Sequence, residues 1–165
     1  MTKRLRVVTA LAALSGALLL AGCGEGDVAA TVNGTAISEK AAQVAAEQIT
    51  TNFQLEEPFT TAKAVGALIN APFILEVADA TGHGQSEAAA RALLTKVPNP
   101  SAEAILLVRA NVAQNEIGEV DPDAFNQVVE GLQAATITVN PRYGTYDFEA
   151  FGVGASTPNW IATGN

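Results

Sequence analysis

Apolar and β-branched residues flank a pair of turn residues in the stretch Asp27–Ser38, whose sequence is DVAATVNGTAIS. Asn-Gly between two such runs is the strongest short-range hairpin signal, because a type I′ turn needs positive φ at both central positions and these residues tolerate it. The pattern therefore predicts strands at Val28–Val32 and Thr35–Ile37, joined by Asn33-Gly34. Two strands alone are only marginally stable in water, so the hairpin needs a further strand or a covering helix.

Downstream of the hairpin, apolar positions recur at helical spacing. Ser38 is an N-cap candidate for a first helix whose inward face is mostly alanine. A second helix is predicted to begin near Thr60 or Thr61. Proline lacks an N–H and crowds the preceding turn, so this helix is predicted to end or kink at Pro72, with a further helical piece over residues 73–78.

Three more helices are predicted after the Gly82-His83-Gly84 break, each opened by a cap signal. The last of them is amphipathic, which indicates that it packs against the others along one side. They run from Ser86 to Val97, from Pro100 (with Asn99 as cap) to a stop at Gly118, and from a cap at Asp121 onward with Phe125, Val128, Val129 and Leu132 facing inward.

Residues 135–140 (ATITVN) alternate with period two and are rich in β-branched side chains, which is typical of a strand. No other convincing strand pattern remains, so we expect Thr136–Asn140 to pair with the Asn33-Gly34 hairpin and to join the two ends of the domain. The predicted fold is mainly α (α+β), with five or six helices and a small antiparallel sheet. The rest of the chain, through Trp160, is predicted to be irregular.

Residues 1–22 have the pattern of an export signal, with three basic residues before an apolar run over residues 7–21. A membrane-spanning helix needs about 20 residues, so the run is short for one. It ends in LAGC at Cys23, which resembles the bacterial lipobox, in which the cysteine is acylated and becomes the first mature residue. An ordinary secretory signal that happens to contain a cysteine is the alternative.

We therefore expect a lipoprotein anchored outside the cytoplasmic membrane through Cys23, the only cysteine of the chain. A cysteine consumed by lipid leaves no disulfide and no thiol-based metal site. Residues 23–27 are expected to be a tether, and residues 28–165 are long enough for one domain. Whether the anchor lies in a Gram-positive membrane or faces a periplasm stays open.

The charge of the chain is strongly acidic, with a formal net charge of −8. Without the three basic residues of the signal, six basic and seventeen acidic side chains remain, a balance of −11. This argues against nucleic acid, whose phosphates require a basic surface, and against an electrostatic attachment to anionic lipid. Membrane contact is expected through the lipid alone.

Candidate catalytic groups are sparse. His83 is the only histidine, which excludes a two-histidine metal site, and between two glycines it is expected to be a solvent-exposed connector. Acidic pairs such as Glu56-Glu57 stand beside prolines and helix ends, where carboxylates are typically caps or solvated groups. We predict no catalytic, metal or cofactor site, and no enzyme.

Two segments resemble a known family. Val28–Ser38, followed by a helix, is similar to the opening "VA-x-VNG-x-x-I-(S/T)" of the SurA/PrsA extracytoplasmic chaperones. Val139–Asp147 (VNPRYGTYD) is similar to the closing segment of such proteins among actinobacterial lipoproteins. The resemblance covers both ends of the mature chain and implies that they meet in one small sheet. Many family members also carry a parvulin-type prolyl isomerase domain, for which the continuous helix signals here leave no room.

The resemblance thus implies a chaperone-like domain alone, a holdase that binds unfolded or nascent exported polypeptides. An accessory envelope lipoprotein with one dedicated protein partner and a residual prolyl isomerase are the alternatives.

Arg142 and Tyr143 fall in the family-like closing segment, just beyond the last predicted strand. They are expected either to contact a client or to lock the C-terminal segment onto the domain. Aromatic residues are concentrated in the last quarter of the chain, where they either cover the helical core or form an exposed groove that binds peptides. The sequence leaves both choices open. The aromatic residues concerned are Tyr143, Tyr146, Phe148, Phe151 and Trp160.

Overall fold

The computed structural model describes residues 27–154, so the predicted signal segment, Cys23 and Trp160 lie outside the described range. Five helices and five short strands are found within it, which confirms a mainly α fold with a small antiparallel sheet. In chain order they are β1 (Val28–Val32), β2 (Thr35–Ser38), α1 (Glu39–Phe53), α2 (Thr61–Thr81), α3 (Glu87–Leu93), α4 (Ala102–Val120), α5 (Pro122–Ala134), β3 (Ile137–Val139), β4 (Thr145–Asp147) and β5 (Gly152–Gly154).

The predicted pairing of the two ends of the helical region is confirmed. Asn33 and Gly34 have φ of 49° and 82°, as a type I′ turn requires. β1 lies in the middle of a three-stranded antiparallel sheet, with β2 on one side and β3 on the other. In the β1–β3 pair, Ala30 is opposite Val139 and Val32 is opposite Ile137.

The core lies between α2 and the elements packed around it. α1 contributes buried alanines, among them Ala42 and Ala45, which let the helices approach closely. The largest side chains that are fully buried are Val65 and Ile69 of α2, Ile117 of α4 and Leu132 of α5. The alanine-rich face predicted for the first helix is therefore a close-packing surface.

Pro72 was predicted to end or kink the second helix, and it does not end it. α2 continues through it from Thr61 to Thr81. Apolar residues on both sides of the proline are buried, including Ile69, Ala71 and Ile74. This burial offsets the backbone hydrogen bond that the proline removes, so tertiary packing overrides the local signal.

Three other helix boundaries also differ from the prediction. α3 ends at Leu93 rather than Val97. α4 is capped by Ser101, whose Oγ accepts from the Ala104 N–H at 3.1 Å, so Asn99 is not its cap. Gly118 does not stop α4, which continues to Val120 because this glycine does not adopt the positive φ of a helix stop.

The C-terminal segment was predicted to be irregular, but its described part, up to Gly154, contains two strands. β4 and β5 form an antiparallel hairpin, with Tyr146 opposite Val153. Local sequence does not predict this hairpin, because β5 is Gly-Val-Gly and glycine is depleted in strands. Contacts with α2, described below, stabilise this hairpin.

Candidate functional site

An apolar groove of about 680 Å³ lies between the end of α1, the facing sides of α2 and α4, and the β4–β5 hairpin. Its floor includes Ile49, Ile74, Leu107 and Val108, which belong to the hydrophobic core. Sites that bind small molecules and side chains typically measure about 300–1,000 Å³ and are mostly apolar. The groove has the size and the lining of a binding site.

Three large apolar side chains at the rim of the groove are exposed to solvent. Phe53 is 46% exposed, Leu55 42% and Leu93 49%. Within residues 27–154, only Val120 and Phe148 are comparable large apolar residues, and neither lines the groove. Exposed apolar side chains that converge on one concave surface indicate an interaction site, whereas isolated ones are ordinary.

Polar side chains near the end of α1 hold this rim in place. The buried amide of Asn52 donates to the Leu93 carbonyl at 3.0 Å and accepts from the Lys96 N–H at 3.0 Å, which fixes the end of α3 beside α1. Thr50 Oγ1 accepts from the Phe59 N–H at 3.0 Å and orders the connection from α1 to α2. These bonds also explain why α3 stops early, because Asn52 satisfies backbone groups that a longer helix would use.

The β4–β5 hairpin forms one wall of the groove and is held by Asn70 of α2. The buried Asn70 side chain donates from Nδ2 to the Phe151 carbonyl at 2.7 Å, and its Oδ1 accepts from the Tyr146 hydroxyl. The Asn70 side chain therefore binds the hairpin at two places: at β4 through Tyr146, and at the turn before β5 through Phe151. Phe151 has a φ of 49°, a backbone conformation that is costly for a non-glycine residue and that these contacts hold in place.

Close approach between α2 and β5 depends on Gly66. A Cβ at this position would lie 2.9 Å from the Val153 nitrogen and 3.1 Å from the Gly152 Cα. Side chains larger than hydrogen would push the hairpin away from the helix. Gly66 and Asn70 stand one helical turn apart on α2, so they form a single seat for the hairpin.

Only a few polar groups line the groove. Lys63 is its one charged lining residue among the described positions, and Asn111 and Gln114 contribute amides from α4. Lys63 lies 3.8 Å from Glu57, with both side chains mostly exposed. Such sparse polar groups can bond the backbone of a bound peptide without dominating an apolar surface.

Arg142 and Tyr143 lie away from the groove, at the other end of α1. Arg142 forms a two-pronged ion pair with Glu39, with nitrogen–oxygen distances of 2.8 and 3.2 Å. Its guanidinium also lies 5.6 Å from the centre of the Tyr143 ring. Glu39 and Phe53 are the two ends of α1, so the ion pair and the rim are about 21 Å apart along the helix. The ion pair links the segment that follows β3 to the first residue of α1.

Both tyrosines of the C-terminal segment have raised pKa values. Burial raises the pKa of Tyr146 to about 12, and the charge of Asp147 adds to the shift. Burial also raises the pKa of Tyr143, together with its hydrogen bond to Glu39 and the Glu39 charge, while Arg142 acts weakly in the opposite direction. Both phenols are therefore neutral hydrogen-bonding groups at physiological pH.

His83 lies in the connection between α2 and α3, as predicted, but it is only partly exposed to solvent. Its side chain is 21% exposed and lies between two carboxylates, 3.8 Å from Glu116 and 3.7 Å from Asp121. Gly82, with a φ of 85°, ends α2 and turns the chain toward the junction of α4 and α5. These contacts are too long for hydrogen bonds, and the described residues contain no group of three or more side chains suited to a metal ion.

One described helix, α2, is long and apolar enough to cross a membrane by length and composition. More than half of its apolar stretch is buried by the other elements, which is the behaviour of a core helix. Comparison of the chain with protein-family models, curated proteins and solved structures finds no match.

The groove was not located by sequence reasoning, although its aromatic wall was considered. Phe151 is one of the C-terminal aromatic residues expected either to cover the core or to form a groove. It does both: it lines the groove, and its ring packs against that of Phe125 on α5 with ring centres 5.6 Å apart. Phe53 carried a usable signal, because it is a large apolar residue at the end of the first predicted helix, whereas Leu93 lies inside the helix predicted from Ser86 to Val97 and carried none. Their convergence depends on Asn52, which no local pattern reveals.

Proposed function

We propose that the groove binds extended apolar segments of unfolded exported polypeptides, and that the protein is a membrane-anchored holdase with no isomerase domain. The observation that carries this proposal is the apolar groove with Phe53, Leu55 and Leu93 half-exposed at its rim. Folded monomers seldom leave several large apolar side chains exposed around one concavity unless it is used for binding.

The lining suits a peptide better than a compact polar ligand. Apolar side chains of a client would replace water over the rim and floor, and the amides of Asn111 and Gln114 would bond its backbone. Apolar contact is not directional, so a surface of this kind accepts varied client sequences. The excess of acidic side chains favours clients that are neutral or basic.

Anchoring through Cys23 would place the groove close to the membrane where exported chains emerge. Residues 23–27 are a short connection, so the domain would stay near the surface. Lipid attachment by two or more acyl chains gives stable retention, whereas a single chain is marginal. The similarity of both chain ends to the SurA/PrsA family supports the same role.

The test measures aggregation of a reduced model client in the presence of the protein. Suppression is expected with the wild-type chain and should be reduced at least severalfold by Phe53→Asp and Leu93→Asp, because a charge at the rim opposes apolar contact. Val120→Asp is the matched control, since Val120 is 63% exposed and lies outside the groove. No suppression at several-fold molar excess, or equal loss in all three variants, would overturn the proposal.

A further inference from the structure

We propose that residues 155–165 of this chain bind in the groove through Trp160 and Ile161, and so compete with clients for the same apolar surface. The competition with clients rests on the proposed function. The binding of residues 155–165 in the groove does not depend on it. Three features support this binding: the place where β5 ends, the chemistry of the residues that follow it and the exposed rim of the groove.

The chain leaves the described region at the edge of the groove. Gly152 and Val153 of β5 line it, and Gly154 is the next residue. β5 is held there by the seat on α2, where Asn70 binds the Phe151 carbonyl and Gly66 permits backbone contact. Residues 155–165 are therefore attached to a wall of the groove at a fixed point.

The chemistry of these residues matches the groove. Their sequence, ASTPNWIATGN, contains no Asp, Glu, Lys, Arg or His, in a chain that is otherwise strongly acidic. Trp160 is the only tryptophan of the chain, and Ile161 follows it directly. An indole carries a large apolar surface with one polar N–H, which suits a site with exposed apolar side chains and a few amides.

The connection is also long enough. Six residue steps separate Gly154 from Trp160, and each extends the chain by at most about 3.3–3.6 Å, so the indole can reach about 20 Å from the end of β5. Short connections of this kind give effective concentrations in the millimolar range. A weak contact of the indole with Phe53 or Leu93 would then be populated without any partner.

Occupation of the groove by its own chain lowers the apparent affinity for clients. A groove free in about one tenth of molecules binds an external ligand about tenfold more weakly than a groove that is always free. Trp160→Ser in the full chain should therefore suppress client aggregation at severalfold lower concentration than the wild type. Far-UV circular dichroism of Trp160→Ser checks that the variant is folded.

Tryptophan fluorescence tests the binding directly, because Trp160 is the sole source of indole emission. In the full chain we expect blue-shifted emission that acrylamide quenches poorly. Phe53→Asp and Leu93→Asp should shift the emission to the red and increase quenching, whereas Val120→Asp should not. Far-UV circular dichroism of the three variants checks that each is folded.

Two results would overturn this inference. One is emission from the full chain that is as red and as easily quenched as that of a free peptide of residues 155–165. The other is blue-shifted emission that the two rim variants leave unchanged. The client assay separates the two proposals. Blue-shifted emission together with no client binding by the wild type or Trp160→Ser would exclude the holdase function and keep the intramolecular contact. Client binding together with a solvent-exposed Trp160 would exclude the intramolecular contact and keep the holdase function.

Discussion

Asn33 and Thr136, 103 residues apart in the chain, exchange two hydrogen bonds. The Asn33 N–H donates to the Thr136 carbonyl at 2.9 Å, and the Thr136 N–H donates to Oδ1 of Asn33 at 2.9 Å. Asn33 thus serves both as a positive-φ residue of the β1–β2 turn and as the partner of the residue that precedes β3. This double use explains how a two-residue turn positions a strand from the far end of the helical region.

Asn33→Ala is expected to lower the free energy of unfolding by about 2 kcal/mol. A non-glycine, non-asparagine residue costs about 1–2 kcal/mol in the left-handed region, and the lost hydrogen bond adds about 0.5–1.5 kcal/mol. Asn33→Gly keeps the backbone freedom and isolates the hydrogen bond, so its loss should be smaller. Urea denaturation measures both, and equal stabilities would contradict the role given to the backbone at this turn.

Gly66→Ala should destabilise the protein by about 1–3 kcal/mol, because the added methyl group overlaps the β5 backbone. Gly118→Ala is the control: it is also a helical glycine, but its Cβ would meet no atom within 4 Å. There, alanine should stabilise by up to about 1 kcal/mol through helix propensity. If both variants were stabilised, the close contact between α2 and the hairpin would be disproved.

The raised pKa of Tyr146 predicts a loss of stability in alkali. The neutral phenol is the form that the folded state favours, so this contribution is complete below the unfolded pKa of 10.0 and disappears as pH rises through about 12. Tyr146→Phe should weaken this pH dependence and, at neutral pH, cost about 1–3 kcal/mol because Asn70 Oδ1 loses its donor. Thermal unfolding between pH 8 and 12 tests both parts, with Tyr143→Phe as the comparison.

Removing the Arg142–Glu39 ion pair should have a small effect, since both side chains are partly exposed. Arg142→Gln is expected to cost no more than about 1 kcal/mol at low salt, and less at high salt. Arg142→Lys should recover only part of the loss, because lysine keeps the positive charge but its ammonium group cannot form the bidentate pair. Client binding should be unaffected, as the pair lies at the opposite end of α1 from the groove. A variant that loses client binding with normal stability would favour the client-contact interpretation.

Sequence reasoning succeeded where the deciding interactions are local or follow a simple period. Asn33-Gly34 specified its turn, and the alternation over residues 135–140 identified β3. It failed where distant residues decide the outcome. Asn70 binds a carbonyl 81 residues away, and this contact turns a Gly-Val-Gly segment into a strand. Asn52 stops α3 from 41 residues upstream, so neither the helix end nor the rim residue Leu93 was predictable from its neighbours.

The central place of β1 has a consequence for folding during synthesis. A chain that emerges N-terminus first presents β1 and β2 early, but the second edge of β1 stays unpaired until Ile137–Val139 follows, after all five helices. An unpaired strand edge is a template for association with other chains, and contacts of such sequence separation form slowly. Until Ile137–Val139 pairs with it, the free edge of β1 is therefore a site at which the nascent domain itself can associate with other chains.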